Sequence, residues 1–174
     1  NNWSQEVQKL SRIRIEKILS SRESQKLDFK AMVDFDDERH KKEIVKDMIS
    51  MANANGGIIV TGYDEKAKKV EGLQKEWNED RLRQIIASRS NPPVDFQTKL
   101  VQYDSKNLVV ITIPESKVKP HEDSDRNIWV RRGTITDRAD WREIQDMIRQ
   151  HPQSEEREFL KMKQRHKEKK TYSI

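Results

Sequence analysis

Three acids and a lysine mark the stretch of this chain where chemistry is to be sought. Glu23, Asp28 and Asp64 lie at or beside two segments of strand character, and Lys30 follows Asp28 at the alternating spacing Leu27-Asp28-Phe29-Lys30. Phosphodiester cleavage needs a water that can be deprotonated near neutral pH and a counter-charge for the anion building on phosphorus. Clustered carboxylates supply both by holding divalent cations, and a lysine two residues from an acid on one strand face can steady the anion. The same residues have a plainer reading, in which Glu23 is a loop acid or helix cap, Asp28 pairs with Lys30 or an arginine, and Asp64 forms the turn after its strand.

The elements that must position these groups follow from periodicity. Leu27 and Phe29 alternate with Asp28 and Lys30, the pattern of a half-buried strand whose polar face carries the acid and the lysine. Asp36 or Asp37 caps a helix whose apolar residues Ile44, Val45, Met48, Ile49 and Ala52 form one stripe. Gly56 fits the left-handed position that ends it, and Ile58-Ile59-Val60 reads as an interior strand, apolar on both faces. Gly56-Gly57 is a turn rather than a phosphate cradle, because phosphate loops precede a helix N-terminus and this pair follows a C-terminus. No Gly-Lys-Ser/Thr ending accompanies it.

Further along, Asn78-Glu79-Asp80 opens a helix with Leu82, Ile85 and Ile86 inside, and Asn91-Pro92-Pro93 stops it. Val94 to Tyr103 and Leu108 to Pro114 read as a hairpin. Lys117 to Asn127 is a polar loop with no packing pattern. A short strand from Ile128 ends in Arg131, Arg132 and Gly133, with alternation sending the two arginines to opposite faces. Asp140 and Glu143 form a capping box ahead of Trp141, Ile144, Met147 and Ile148. The chain thus divides into an N-terminal amphipathic helix (1–20), a domain (21–151) and a charged helical tail (152–174).

Charge is unusual in amount rather than sign, with 37% of residues charged and 35 basic against 30 acidic, a net charge of +5. Such an excess binds phosphates only where it clusters, and Lys30, Lys119, Arg131, Arg132 and Arg138 are the candidate contacts. Cysteine is absent and the four histidines are scattered, which excludes disulfides and thiolate sites and argues against zinc. No apolar run approaches the roughly 20 residues of a spanning helix, so the expectation is a soluble, cytoplasmic protein without a membrane partner.

The order of motifs resembles the AlbA-like domain of the Schlafen family. The pieces are Glu23-Ser24-x-x-Leu27-Asp28-Phe29-Lys30, Ala52-Asn53-Ala54-Asn55-Gly56-Gly57, Ile59-Val60-Thr61-Gly62-Tyr63-Asp64, Gly72, the Pro92 region and Trp129-Val130-Arg131-x-Gly133 with Ala139, together covering roughly residues 22 to 145. The resemblance implies an α+β domain with a mixed central sheet flanked by helices, and nucleic-acid binding as its general activity. In members that are endoribonucleases, three carboxylates with a divalent metal cut transfer and ribosomal RNA, and they match Glu23, Asp28 and Asp64 here, with Mg or Mn as the implied cofactor. Asp28 is one methylene shorter than the glutamate usual at its position. The leading expectation is a metal-dependent endoribonuclease acting on structured RNA such as tRNA, with RNA favoured over DNA. Its rivals are a non-catalytic DNA-binding or regulatory module and a scaffold that self-associates as a homo-dimer through the first helix and the tail.

Overall fold

In the computed structural model, which describes residues 12–151, the first element is helical at 12–19 (α1). Ile15 is buried, and Ile18 and Leu19 pack against Leu27, Phe29, Val60 and Tyr63. The described part of the helix therefore docks on the domain. The earlier part of the predicted N-terminal helix and the tail 152–174 lie outside the described residues.

Strand β1 (Leu27–Lys30) leads to α2 (Glu38–Asn53), whose cap is Asp37, accepting from the Arg39 amide at 2.7 Å. Gly56 ends the turn after α2 at φ +71°, donating its N–H to Met51 O at 2.8 Å. A Cβ there would lie 2.7 Å from Ile113 O and from Glu115 N, so both the conformation and the close approach call for glycine. Then come β2 (Gly57–Thr61), a small hairpin of β3 (Tyr63–Asp64) and β4 (Lys69–Val70), and α3 (Glu79–Arg89), capped by Asn78. They are followed by β5 (Ser90–Asn91), β6 (Gln97–Tyr103), β7 (Lys106–Ile113), β8 (Glu122–Asp123), β9 (Trp129–Arg132), β10 (Ile135–Arg138) and α4 (Trp141–Arg149).

The central sheet runs β1-β2-β7-β6, with β1 and β2 parallel and the other neighbours antiparallel. A parallel pair needs a crossover, which α2 supplies. Ile59, Val109 and Ile111 face the helices and meet Met48, Ile49, Ala52, Leu82 and Ile86 in the main core. The opposite face carries Leu27, Phe29, Val60 and Tyr63 under α1, with the Phe29 and Tyr63 rings 4.9 Å apart. This is the mixed α+β architecture that the sequence predicts.

What the apolar stripe did not announce is a second buried side of α2. Asp47, Ser50 and Asn53 are all buried, because the hairpin β9–β10 lies against that flank of the helix, beside the β1 edge of the sheet. Asn53 Nδ2 donates to His121 O at 2.9 Å and Trp129 O at 2.8 Å, and its Oδ1 accepts from the His121 amide at 2.8 Å. The segment 117–127, expected to be a loop without packing, instead holds β8 and the buried Lys119 and His121. A second departure concerns α4: its capping box forms as predicted, but only Met147 is buried and Trp141 is 69% exposed. Among the described residues no helix is long and apolar enough to cross a membrane.

Candidate functional site

Asp28 and Lys30 share one face of β1, as alternation predicts, but that face looks inward. It is roofed by α2 and by β9, and Asp28 is only 5% exposed. Its Oδ1 accepts from Arg131 Nη2 at 3.1 Å and its Oδ2 lies 3.0 Å from Lys30 Nζ. The ammonium is in turn 2.6 Å from Asp47 Oδ2, and the other Asp47 oxygen accepts from the Thr136 hydroxyl at 3.1 Å. Two acids and two cations thus balance in the interior, where a lone carboxylate would be costly.

The pKa shifts follow from that geometry. Burial alone would lower the Lys30 pKa, but the charges of Asp47 and Asp28 outweigh it and hold the ammonium above its ordinary value. Burial raises the Asp47 carboxyl, with Lys30 pulling against it. Arg131 also donates to the carbonyls of Ser24, Leu27 and Gly133, so one guanidinium fastens the hairpin to the edge of the sheet.

Glu23 and Asp64 do different work. Glu23 Oε1 accepts from the Phe29 amide at 3.1 Å, on the free side of edge strand β1, and its own N–H donates to Glu65 Oε1 at 2.9 Å. Together with the Ser24–Leu27 bridge, this satisfies backbone groups that an open edge would offer to another strand. Burial raises the Glu23 carboxyl, the Phe29 amide opposes the rise, and the Asp28 charge adds to it. Asp64 Oδ1 accepts from the Ala67 amide at 3.0 Å, closing the β3–β4 turn.

Mg or Mn requires several oxygens free to converge on one point. Both oxygens of Asp28 face cations already, and Asp64 holds a turn. Among the described residues no group of three or more His, Cys, Asp or Glu side chains is placed to hold a metal ion. As arranged here, Glu23, Asp28 and Asp64 do not fit that cofactor.

The five candidate phosphate contacts also divide. Lys119 is buried, with its ammonium 3.0 Å from Ala54 O near the end of α2 and 2.7 Å from Glu115. Lys30 and Arg131 are committed to the interior. Arg132 points the other way from Arg131, as alternation requires, and pairs with Glu143 at 2.6 Å and Asp137 at 3.0 Å. Arg138 is exposed, and its guanidinium lies 5.7 Å from the centre of the Trp129 ring. A second cation, Lys46 of α2, stands 4.3 Å from the same ring centre. Sequence reasoning missed Lys46 and Asp47. The signal for both was the polar run Asp47, Ser50, Asn53 at helical spacing beside the apolar stripe, which marks a second packing partner for α2.

The family described as Schlafen, AlbA_2 matches residues 23–140. This chain belongs to that family. The matched span of the Schlafen AlbA_2 domain runs from Glu23 at the edge of β1 to the α4 cap Asp140, and so takes in the whole charge network. The DIP2311 protein of Corynebacterium diphtheriae is similar in structure, with a TM-score of 0.60 at 20% identity, over 85% of this chain and 29% of that one. The chain therefore spans less than a third of that protein's length, and the likeness is one of fold. The N-terminal domain of a RecG-related protein from Nitrosomonas europaea is a more distant match, with a TM-score of 0.46 and 20% identity over 63% of this chain and 76% of that domain.

Proposed function

We propose that this Schlafen AlbA_2 domain binds nucleic acid and does so without metal-dependent cleavage. Family membership supports the first half, together with the net positive charge. The observation that carries the second half is the pairing of both Asp28 oxygens with internal cations, Arg131 on one and Lys30 on the other. A carboxylate so engaged must give up two ion pairs before it can ligate a metal.

The finer reading carried by the family resemblance is a metal-dependent endoribonuclease acting on tRNA or similarly structured RNA. What favours it is the nearness of Glu23 to Asp28, whose charge helps to raise the Glu23 carboxyl. The two readings separate in one experiment. Labelled tRNA and a DNA duplex are titrated with the protein over a series of salt concentrations, and the tRNA is then incubated with millimolar Mn²⁺. Binding is expected to weaken linearly on a double-logarithmic plot against salt, with the tRNA remaining intact. Cleavage that disappears in Asp64→Ala, with folding retained, would restore the endoribonuclease; absence of any salt-dependent binding would remove both.

A further inference from the structure

We infer that the cluster of Lys46, Trp129 and Arg138 is the surface that contacts a single strand of nucleic acid, taking an unpaired base against the Trp129 ring and its flanking phosphates on the two cations. The inference rests on the nucleic-acid-binding reading above and names where that binding occurs.

The cluster is built by register. Arg138 on β10 pairs directly with Trp129 on β9, and alternation places Trp129, Arg131, Thr136 and Arg138 on the side of the hairpin turned to α2. Thr136 and Arg131 bury their ends in the charge network. Trp129 and Arg138, two pairs further from the hairpin tip, reach the rim, where Lys46 projects from α2. The ring itself is fixed: its inner side packs against the core and its Nε1–H donates to Asp123 Oδ2 at 2.7 Å. Asp123 is held in turn by the Asn127 amide and side chain. A half-buried indole anchored in this way offers a flat surface that loses little freedom on binding.

Charge distinguishes these two cations from the other candidates. Lys30, Lys119, Arg131 and Arg132 each sit in an ion pair. Among the described residues Lys46 and Arg138 form none, and their attraction is to the ring. Of the acids around the cluster, Asp123 is engaged by the indole N–H and Asp137 by Arg132 and the Arg138 amide, while Glu43, one turn before Lys46 on α2, is turned toward Lys30 at 3.9 Å. Lys42, one turn before Lys46 on the exposed side of α2, adds positive charge to the same flank.

The arrangement selects a single strand because a duplex hides the faces of its bases. Stacking of a base on an aromatic ring is stronger per contact than the exposed cation–π attraction it would replace. A base that displaces an ammonium or guanidinium from the ring also leaves that cation beside the next phosphate, so exchange adds a contact rather than losing one.

The test compares the wild-type chain with Lys46→Gln/Arg138→Gln by fluorescence anisotropy on labelled oligouridylate, oligothymidylate and a duplex of equal length. The expected result is a roughly tenfold loss of single-strand affinity in the double variant. Its salt slope is expected to be shallower by about 1.4, at about 0.7 per phosphate contact on a single strand, with an unchanged thermal midpoint. Wild-type binding that the double variant reproduces overturns this inference and leaves the nucleic-acid reading standing. Duplex affinity equal to single-strand affinity overturns the base-stacking assignment. A wild-type chain that binds none of the probes overturns the reading on which the inference rests, and the inference with it.

Discussion

Arg131 is the residue on which the interior electrostatics turn. Its guanidinium is the partner of Asp28 Oδ1 and also reaches three backbone carbonyls. Arg131→Ala leaves a buried carboxylate with only the shared Lys30, and is expected to cost on the order of 3–5 kcal/mol in urea unfolding; adding Asp28→Asn should recover part of that loss. His121 gives a pH signature. Pro92 O can only accept, so Nδ1 carries the proton it donates at 2.6 Å, and the neutral Nε2 accepts from the Ser116 hydroxyl at 2.6 Å. Burial lowers the His121 pKa, so the folded state resists a proton that the unfolded chain takes up near pH 6.5. The stability from the neutral ring is present above that pH and falls as pH drops through it, by up to about 1.4 kcal/mol per unit, until the folded-state pKa is passed. Thermal melts between pH 8 and 5 should show this fall, and His121→Gln should flatten it.

Among the elements, α2 decides the layout because it is buried on two sides. Its apolar stripe could be read directly from spacing, and its cap was narrowed to Asp36 or Asp37, of which the fold uses Asp37. The polar side could not, because Asp47, Ser50 and Asn53 look like a solvated face until the hairpin arrives to bury them. Asn53→Leu keeps the volume but leaves the carbonyls of His121 and Trp129 and the His121 amide without their partner. The expected cost is on the order of 3 kcal/mol, read by urea unfolding, and the β9–β10 amides should exchange hydrogen faster than those of β2 and β7. Strand β1 shows the same effect of context. Its alternation was correct, yet the face called polar is interior, because what covers a strand is set by elements distant in sequence.

Across the whole molecule, the count of 35 basic residues overstates the cations free at the surface. Lys119 and Arg131 are buried, Lys30 is largely so, and Arg132 is neutralised by acids. The positive field must come from cations such as Lys46 and Arg138 at the rim. If the carboxylates are as fully engaged as their distances indicate, millimolar Mn²⁺ should leave the thermal midpoint where EDTA leaves it. A metal present at about 100 times its dissociation constant would instead add about 2.7 kcal/mol to stability. Differential scanning fluorimetry of the wild type and Asp28→Asn in both buffers measures the difference, and a Mn²⁺ shift confined to the wild type would mean that a cation displaces Lys30 or Arg131 from Asp28.

By itself the sequence determined the strand–helix–strand centre, the caps at Asn78 and Asp140, the left-handed Gly56 and the family, since each rests on neighbouring residues or on the order of motifs. It also contained the pairing of Asp28 with Lys30 or an arginine as one of two readings. Only the tertiary structure shows which cations Asp28 meets, because that depends on Asp47 and Arg131, which lie far along the chain from β1 and reach it only when α2 and the hairpin close over the sheet. A charge has no fixed role until its surroundings set how strongly water competes for it; folding removed water from Asp28 and left it at Lys46 and Arg138.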